Sequence, residues 1–167
     1  MKKLLYFLAL MLLCMSCGND DHGNDALTST ITIGSEEFLP SVPDPGNNSP
    51  VVTDFTQAQG SDSNRRLFTI LDSQNQQHIT IVIGYPISQE SVTDTYEVTN
   101  NDGAHFAQVY YGSSADQSSS LGQSGSITVE DLGGSRYELN FENITVENAL
   151  GEQRVINGSI RGKFTNN

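Results

Sequence analysis

From Thr28 onward the chain alternates inward-seeking and outward-seeking residues with a period of two. Thr30-Ile31-Thr32-Ile33 alternates, and Ile79, Ile81 and Ile83 are interleaved with Thr80 and Val82. Ile127 and Val129 alternate with Ser126 and Thr128, and Tyr137, Leu139 and Phe141 with Glu138 and Asn140. Near the end, Ile156, Gly158, Ile160, Gly162 and Phe164 share one side, and Asn157, Ser159, Arg161 and Lys163 the other. Successive side chains on a strand point to opposite faces, so this pattern predicts strands with one buried and one wetted face. No window carries an amphipathic helix. Strands are expected over 29–34, 51–57, 66–72, 77–84, 94–99, 105–111, 124–130, 135–142, 143–148 and 153–164.

The connections set the topology. Ser73-Gln74-Asn75-Gln76, Asn100-Asn101-Asp102-Gly103 and Leu132-Gly133-Gly134-Ser135 are expected to close tight hairpins, Asp-Gly being suited to positive φ. Strands joined this way are antiparallel. The expected fold is therefore all-β: an antiparallel meander of about eight to ten strands, forming a β-sandwich or partly closed barrel. Pro40 to Pro50 contains four prolines and reads as a long loop over one end of the domain. Ser113 to Gln123 reads as a second, Ser-rich loop. An Ile-Thr-hydrophobic triplet recurs at Ile31, Ile79, Ile127 and Ile144, but its flanks differ, so recurrent strand composition explains it better than a repeat.

The first residues follow another grammar. Lys2 and Lys3 precede an apolar run from Leu4 to Leu13, then Ser16 stands before Cys17. This reads as a secretory signal over 1–16, too short to span a bilayer. Gly18 to Leu27 is polar and acidic and has nothing to bury, so 17–27 is expected to be a flexible tether and 28–167 a single β domain.

Cleavage before Cys17 removes two lysines and leaves six basic residues against twenty acidic ones, a net charge of −14. Such a surface repels phosphate backbones, so nucleic acid is not an expected partner. Both cysteines lie in or beside the signal, so the domain is expected to have no disulfide, no cysteine zinc site and no thiol chemistry.

The Lys-Lys, apolar run and Ser-Cys together resemble a bacterial lipoprotein signal. That resemblance implies a diacylglycerol thioether and acylation (palmitate) at Cys17, and hence a membrane partnership through lipid. Asp20 and Asp21, just after the lipid, resemble the surface-export signal of Bacteroidota lipoproteins. Gly125-Ser126-Ile127-Thr128-Val129, Tyr137 to Phe141, Ile156 to Phe164 and an opening Ile33 to Phe38 strand resemble small Bacteroidota lipoproteins of unknown function. The resemblance implies an outer-membrane protein facing the cell exterior, with a compact β domain on a lipid tether. It supplies no chemistry.

The residues supply little more. Gly122-Gln123-Ser124-Gly125 lacks the spacer and the strand-to-helix turn of a nucleophile elbow. His78 and His105 open strands without a triad signature around them. Asp20-Asp21-His22 lies on a tether whose ordering would oppose metal binding. The stretch from Val98 has an EF-hand's middle positions, but Val98 and Val109 occupy its carboxylate positions. Twenty acids always permit a glycosidase pair somewhere, which makes the pair weak evidence. The lipocalin G-x-W is absent, since Ser35 and Glu36 follow Gly34. There is no tryptophan, and five tyrosines remain after the signal. Tyr110 and Tyr111 are adjacent on one strand, so one of them is expected to be exposed and able to stack on a sugar or partner. The expected function is a non-catalytic binding or structural accessory module, with loops 40–50 and 112–123 at the domain ends. No catalytic residue, cofactor or metal is assigned, and the partner is an unknown protein, glycan or small molecule. The alternative is a lipocalin-like carrier with a cavity lined by Ile79, Ile81, Tyr137, Leu139 and Phe141. A hydrolase is the third reading.

Overall fold

The computed structural model describes residues 26–41, 50–55, 63–114 and 118–166. The strands, in chain order, are β1 (Thr28–Ser29), β2 (Thr32–Ile33), β3 (Glu36–Glu37), β4 (Val51–Phe55), β5 (Ser63–Asp72), β6 (Gln77–Pro86), β7 (Asp94–Glu97), β8 (Phe106–Ser113), β9 (Ser118–Gly133), β10 (Arg136–Asn148), β11 (Gln153–Lys163) and β12 (Thr165–Asn166). Hydrogen bonds order them β12-β4-β5-β6-β8-β9-β10-β11-β2-β3, with β1 beside β11 and β7 beside β9. Among the described residues β12 and β4 are the one parallel strand pair; the other strand pairs are antiparallel. The expected all-β antiparallel architecture is thus present, as an open sheet with edges at β3 and β12 rather than a closed barrel.

This sheet folds over on itself. Phe68 of β5 meets Tyr137 of β10 edge-on at 5.1 Å and Phe164 at 5.5 Å, and Tyr137 and Phe164 close the triangle at 5.5 Å. T-shaped packing suits aromatic rings because the positive edge of one meets the negative face of another. Around them Ile31, Ile70, Ile79, Ile81, Leu139, Phe141, Ile156 and Ile160 belong to one buried cluster. The inward residues of each strand alternate as the sequence pattern requires.

β9 and β10 interrupt that alternation together, β9 passing from buried Ser120 and Gly122 to buried Ile127 and Val129. On β10 the buried residues are Tyr137, Leu139 and Phe141, then Ile144 and Val146. The parity changes at Asn143, where the register with β11 shifts between Phe141 and Ile144 and that with β9 between Glu142 and Thr145. Asn143 has φ 50° and its N–H donates to Asn157 Oδ1 at 2.7 Å. An extra residue in one strand resets which face each later side chain takes. This bulge is why 135–142 and 143–148 read as separate strands, whereas they form one. On β11, Gly158 (φ 106°) lies so close to the Thr30 carbonyl that any Cβ would run into it.

Turn chemistry at Ser73–Gln76 and Gly133–Ser135 is as expected. Gly134 and Ser135 both take positive φ, 62° and 63°, matching the twist of a two-residue hairpin. Two expectations are corrected. Asn100–Gly103 does not close a hairpin: β7 pairs with β9 (Tyr96↔Ile127) and reaches β8 only through a parallel bridge, Val98↔Ala107. β8 leaves β9 beyond Tyr110↔Leu121, and β7 occupies the opening. Ser118–Gln123, read as part of a loop, instead opens β9, its serines paired with Ser113, Gly112 and Tyr111. Ser35 and Gly34 make a turn between β2 and β3 within the stretch read as one opening strand.

Candidate functional site

The strands define two ends. Thr28 of β1 pairs with Arg161, and Leu27 packs against the core beside Gly162. Glu147 pairs with Gln153 at the opposite end of β11. Arg161 and Gln153 are roughly 26 Å apart at ~3.3 Å per residue. The β5–β6 and β10–β11 turns and the paired ends of β8 and β9 (Ser113↔Ser118) lie at that second end.

There the outer face of β6, β8, β9 and β10 carries an open groove of about 560 Å³. Register places its side chains in rows. His78 of β6 faces Gly112 of β8, which faces Ser119 of β9. Thr80, Tyr110, Leu121 and Glu147 form the next row across the same strands. A Cβ at Gly112 would run into the His78 ring, so the glycine lets the imidazole lie flat across β8. Gln123, Asn148 and Ala149 complete the rim, and Tyr111 and Ser120 lie beneath.

Tyr110 and Tyr111 take opposite faces, with exposures of 41% and 1%. Both border the groove. Tyr111 is clamped from below: Arg154 Nη1 donates to its hydroxyl at 3.2 Å and the guanidinium sits 5.7 Å over its ring. The Tyr110 hydroxyl donates to Gln108 Oε1 at 3.4 Å, a long bond.

The rim is held in place. Gln123 Oε1 accepts from Asn100 Nδ2 at 3.1 Å, and its Nε2 donates to the Leu121 carbonyl at 3.1 Å. Glu147 Oε2 accepts from Gln153 Nε2 at 2.6 Å. Asn148 Oδ1 accepts from the N–H groups of Leu150 and Glu152, both at 2.9 Å. At the nearby β5–β6 turn, buried Asp72 accepts from the N–H groups of Gln74, Asn75 and Leu39 and from Asn75 Nδ2, at 2.8–3.1 Å.

The other chemistry-bearing residues sit apart. His105 Nε2 lies 3.3 Å from Asp94 Oδ2, both groups well exposed, and its ring stacks on Tyr96 at 4.4 Å. Burial pushes the Tyr96 hydroxyl up to about 12, against the opposing hydrogen bond from Gln89; it donates to the Val92 carbonyl at 2.8 Å. Ser124 pairs with Thr145 on β10, away from either histidine's strand. Among the described residues, no group of three or more His, Cys, Asp or Glu is placed to hold a metal ion. Cys17, Asp20 and Asp21 lie outside the described residues, as does most of loop 40–50.

Sequence reasoning found the tyrosine pair but missed His78, Leu121 and Glu147 as its neighbours. Register would have supplied them, had Ser118–Gln123 been read as strand rather than loop. No family model, curated protein or solved structure matches this chain.

Proposed function

We propose that this chain is a lipid-anchored envelope protein of the outer membrane, acylated at Cys17 and directed to the cell exterior by Asp20 and Asp21, whose β domain is a non-catalytic binding module. The observation that carries the binding reading is the contrast between a filled interior and an open groove. Ile79, Ile81, Tyr137, Leu139 and Phe141, the residues that would line a carrier's cavity, all lie in the buried cluster, and Phe68 and Phe164 fill the space beside Tyr137. Recognition on this protein belongs outside the sheet, where fixed polar side chains surround an exposed ring. The groove lies at the end away from Leu27, so a tether joined there points the groove away from the membrane.

The test is metabolic labelling with an alkyne fatty acid in a Bacteroidota host. The full chain is expected to be labelled, to fractionate with the outer membrane, and to be digested by protease added to intact cells. Cys17→Ser is expected to lose the label and the membrane association. Labelled protein protected from external protease would place the domain on the periplasmic side, and an unlabelled chain would remove the anchor.

A further inference from the structure

We propose that the His78–Tyr110–Glu147 groove binds a neutral glycan, with one pyranose ring seated on Tyr110; this rests on the binding-module reading and names its ligand class. Tyr110 offers the kind of surface a sugar ring needs. The residue is 41% exposed yet belongs to a β row between Thr80 and Leu121, which limits how far its ring can swing. A pyranose presents a face of C–H groups, and the electron-rich face of an aromatic ring attracts them.

The rim matches the rest of a sugar. Hydroxyl groups both donate and accept, so they suit a site that mixes the two. Gln123, Ser119 and His78 carry donors as well as acceptors, and the Glu147 carboxylate is acceptor only, with Gln153 using one of its roughly four acceptor positions. Gln123 is held by Asn100 and Glu147 by Gln153, so these two lose little entropy when a ligand arrives. The volume, about 560 Å³, falls among ordinary ligand clefts.

Charge selects within the polar ligands. Among the described residues lining the groove there is no lysine or arginine, and the one charged side chain is Glu147. The whole chain carries −12. A sulfated, phosphorylated or uronic glycan would meet repulsion at both ranges. A neutral one meets none.

The experiment is titration calorimetry of the full chain in detergent micelles. The probes are hexasaccharides of glucose, mannose, galactose and xylose, an oligogalacturonate, and hexalysine as a cationic control. At least one neutral hexasaccharide is expected to bind. Tyr110→Ala is expected to weaken that binding at least tenfold, Tyr110→Phe less than about threefold, and the oligogalacturonate is expected not to bind. Sugar binding unaffected by Tyr110→Ala would overturn the proposal by placing the site elsewhere. Hexalysine binding that depends on Tyr110, with no sugar binding, would overturn the ligand class and leave the binding-module reading standing. No binding of any probe would overturn the proposal; the binding-module reading would then also fall if 15N-labelled protein in host envelope extract showed no shift of groove resonances. Far-ultraviolet circular dichroism of each variant separates lost binding from lost folding.

Discussion

Each end of the sheet presses an arginine onto a buried tyrosine, and the two ends differ in what lies next to that pair. Near Leu27, Arg66 donates to the Tyr137 hydroxyl at 2.9 Å, sits 5.5 Å over its ring, and also binds Asp131 at 3.3 Å. Tyr137 then continues into Phe68 and Phe164, so the aromatic surface there is used up inside the fold. At the groove end, Arg154 holds Tyr111 in the same manner, but the next residue, Tyr110, turns outward. The core at that end is sealed without Tyr110. Two adjacent tyrosines on one strand therefore have separable roles, and substitutions can tell them apart.

The largest effect should come from the aromatic triangle. Phe68→Ala removes a fully buried ring with two ring neighbours and leaves a cavity between β5 and β10. Such truncations destabilise by about 3–5 kcal/mol. Urea unfolding followed by tyrosine fluorescence, which no tryptophan obscures in this chain, measures it. A loss below about 1 kcal/mol would mean that the two halves of the sheet are not held together there.

Asp72→Ala tests how the groove end is fixed without a comparable ring cluster. Its carboxylate takes four donors, and through Leu39 it ties the segment after β3 to the β5–β6 turn. Hydrogen bonds to a charged group are worth about 1.5–3 kcal/mol each, but the donors on exposed turn residues recover water when it is lost. The expected cost is about 2–3 kcal/mol by urea unfolding, with Asp72→Asn losing less. Hydrogen exchange should rise first at Leu39 and Asn75.

Between the ends, β7 is pinned by Tyr96. Its hydroxyl is raised to about 12 in the fold, whereas an unfolded tyrosine ionises near 10. The folded value is the higher one, so the stabilisation is whole below about pH 10 and is lost as pH climbs toward 12. Stability should fall by roughly 2 kcal/mol across that window, and Tyr96→Phe should flatten the fall. Absorbance at about 295 nm gives the fraction ionised in the same samples. Equal slopes in the two proteins would show that Tyr96 titrates as if it were in water.

Much of this architecture was legible, because burial of alternate residues is a local rule. The period of two found β6 and β11 and parts of β9 and β10, and Gly133-Gly134-Ser135 announced its own turn. What was not legible depended on distant pairing. Nothing near Asn100–Gly103 says that β7 lies against Ile127 rather than β8, since Asp-Gly permits a hairpin without requiring one. The serines at 118–120 look like a loop until β8 and β10 pair with them. The phase change at Asn143 hid the continuity of β10, which takes Glu147 to the groove. Tyr110 was found because strand parity alone puts it opposite Tyr111.

The smallest expected effect on stability is the most informative about that pair. Tyr110→Ala removes a ring that the core does not use, so stability should change by no more than about 0.5 kcal/mol. Tyr111→Ala, one residue away, takes a 1%-exposed ring from beside Ser120 and removes the hydroxyl to which Arg154 donates. It should cost about 3 kcal/mol or more. Urea midpoints of the two variants, measured side by side, decide the matter. A wide gap means that the fold does not need Tyr110, as the proposed recognition role requires. Equal losses would make Tyr110 part of the packing that closes this end of the sheet, and the exposed ring would then be the outer layer of the core.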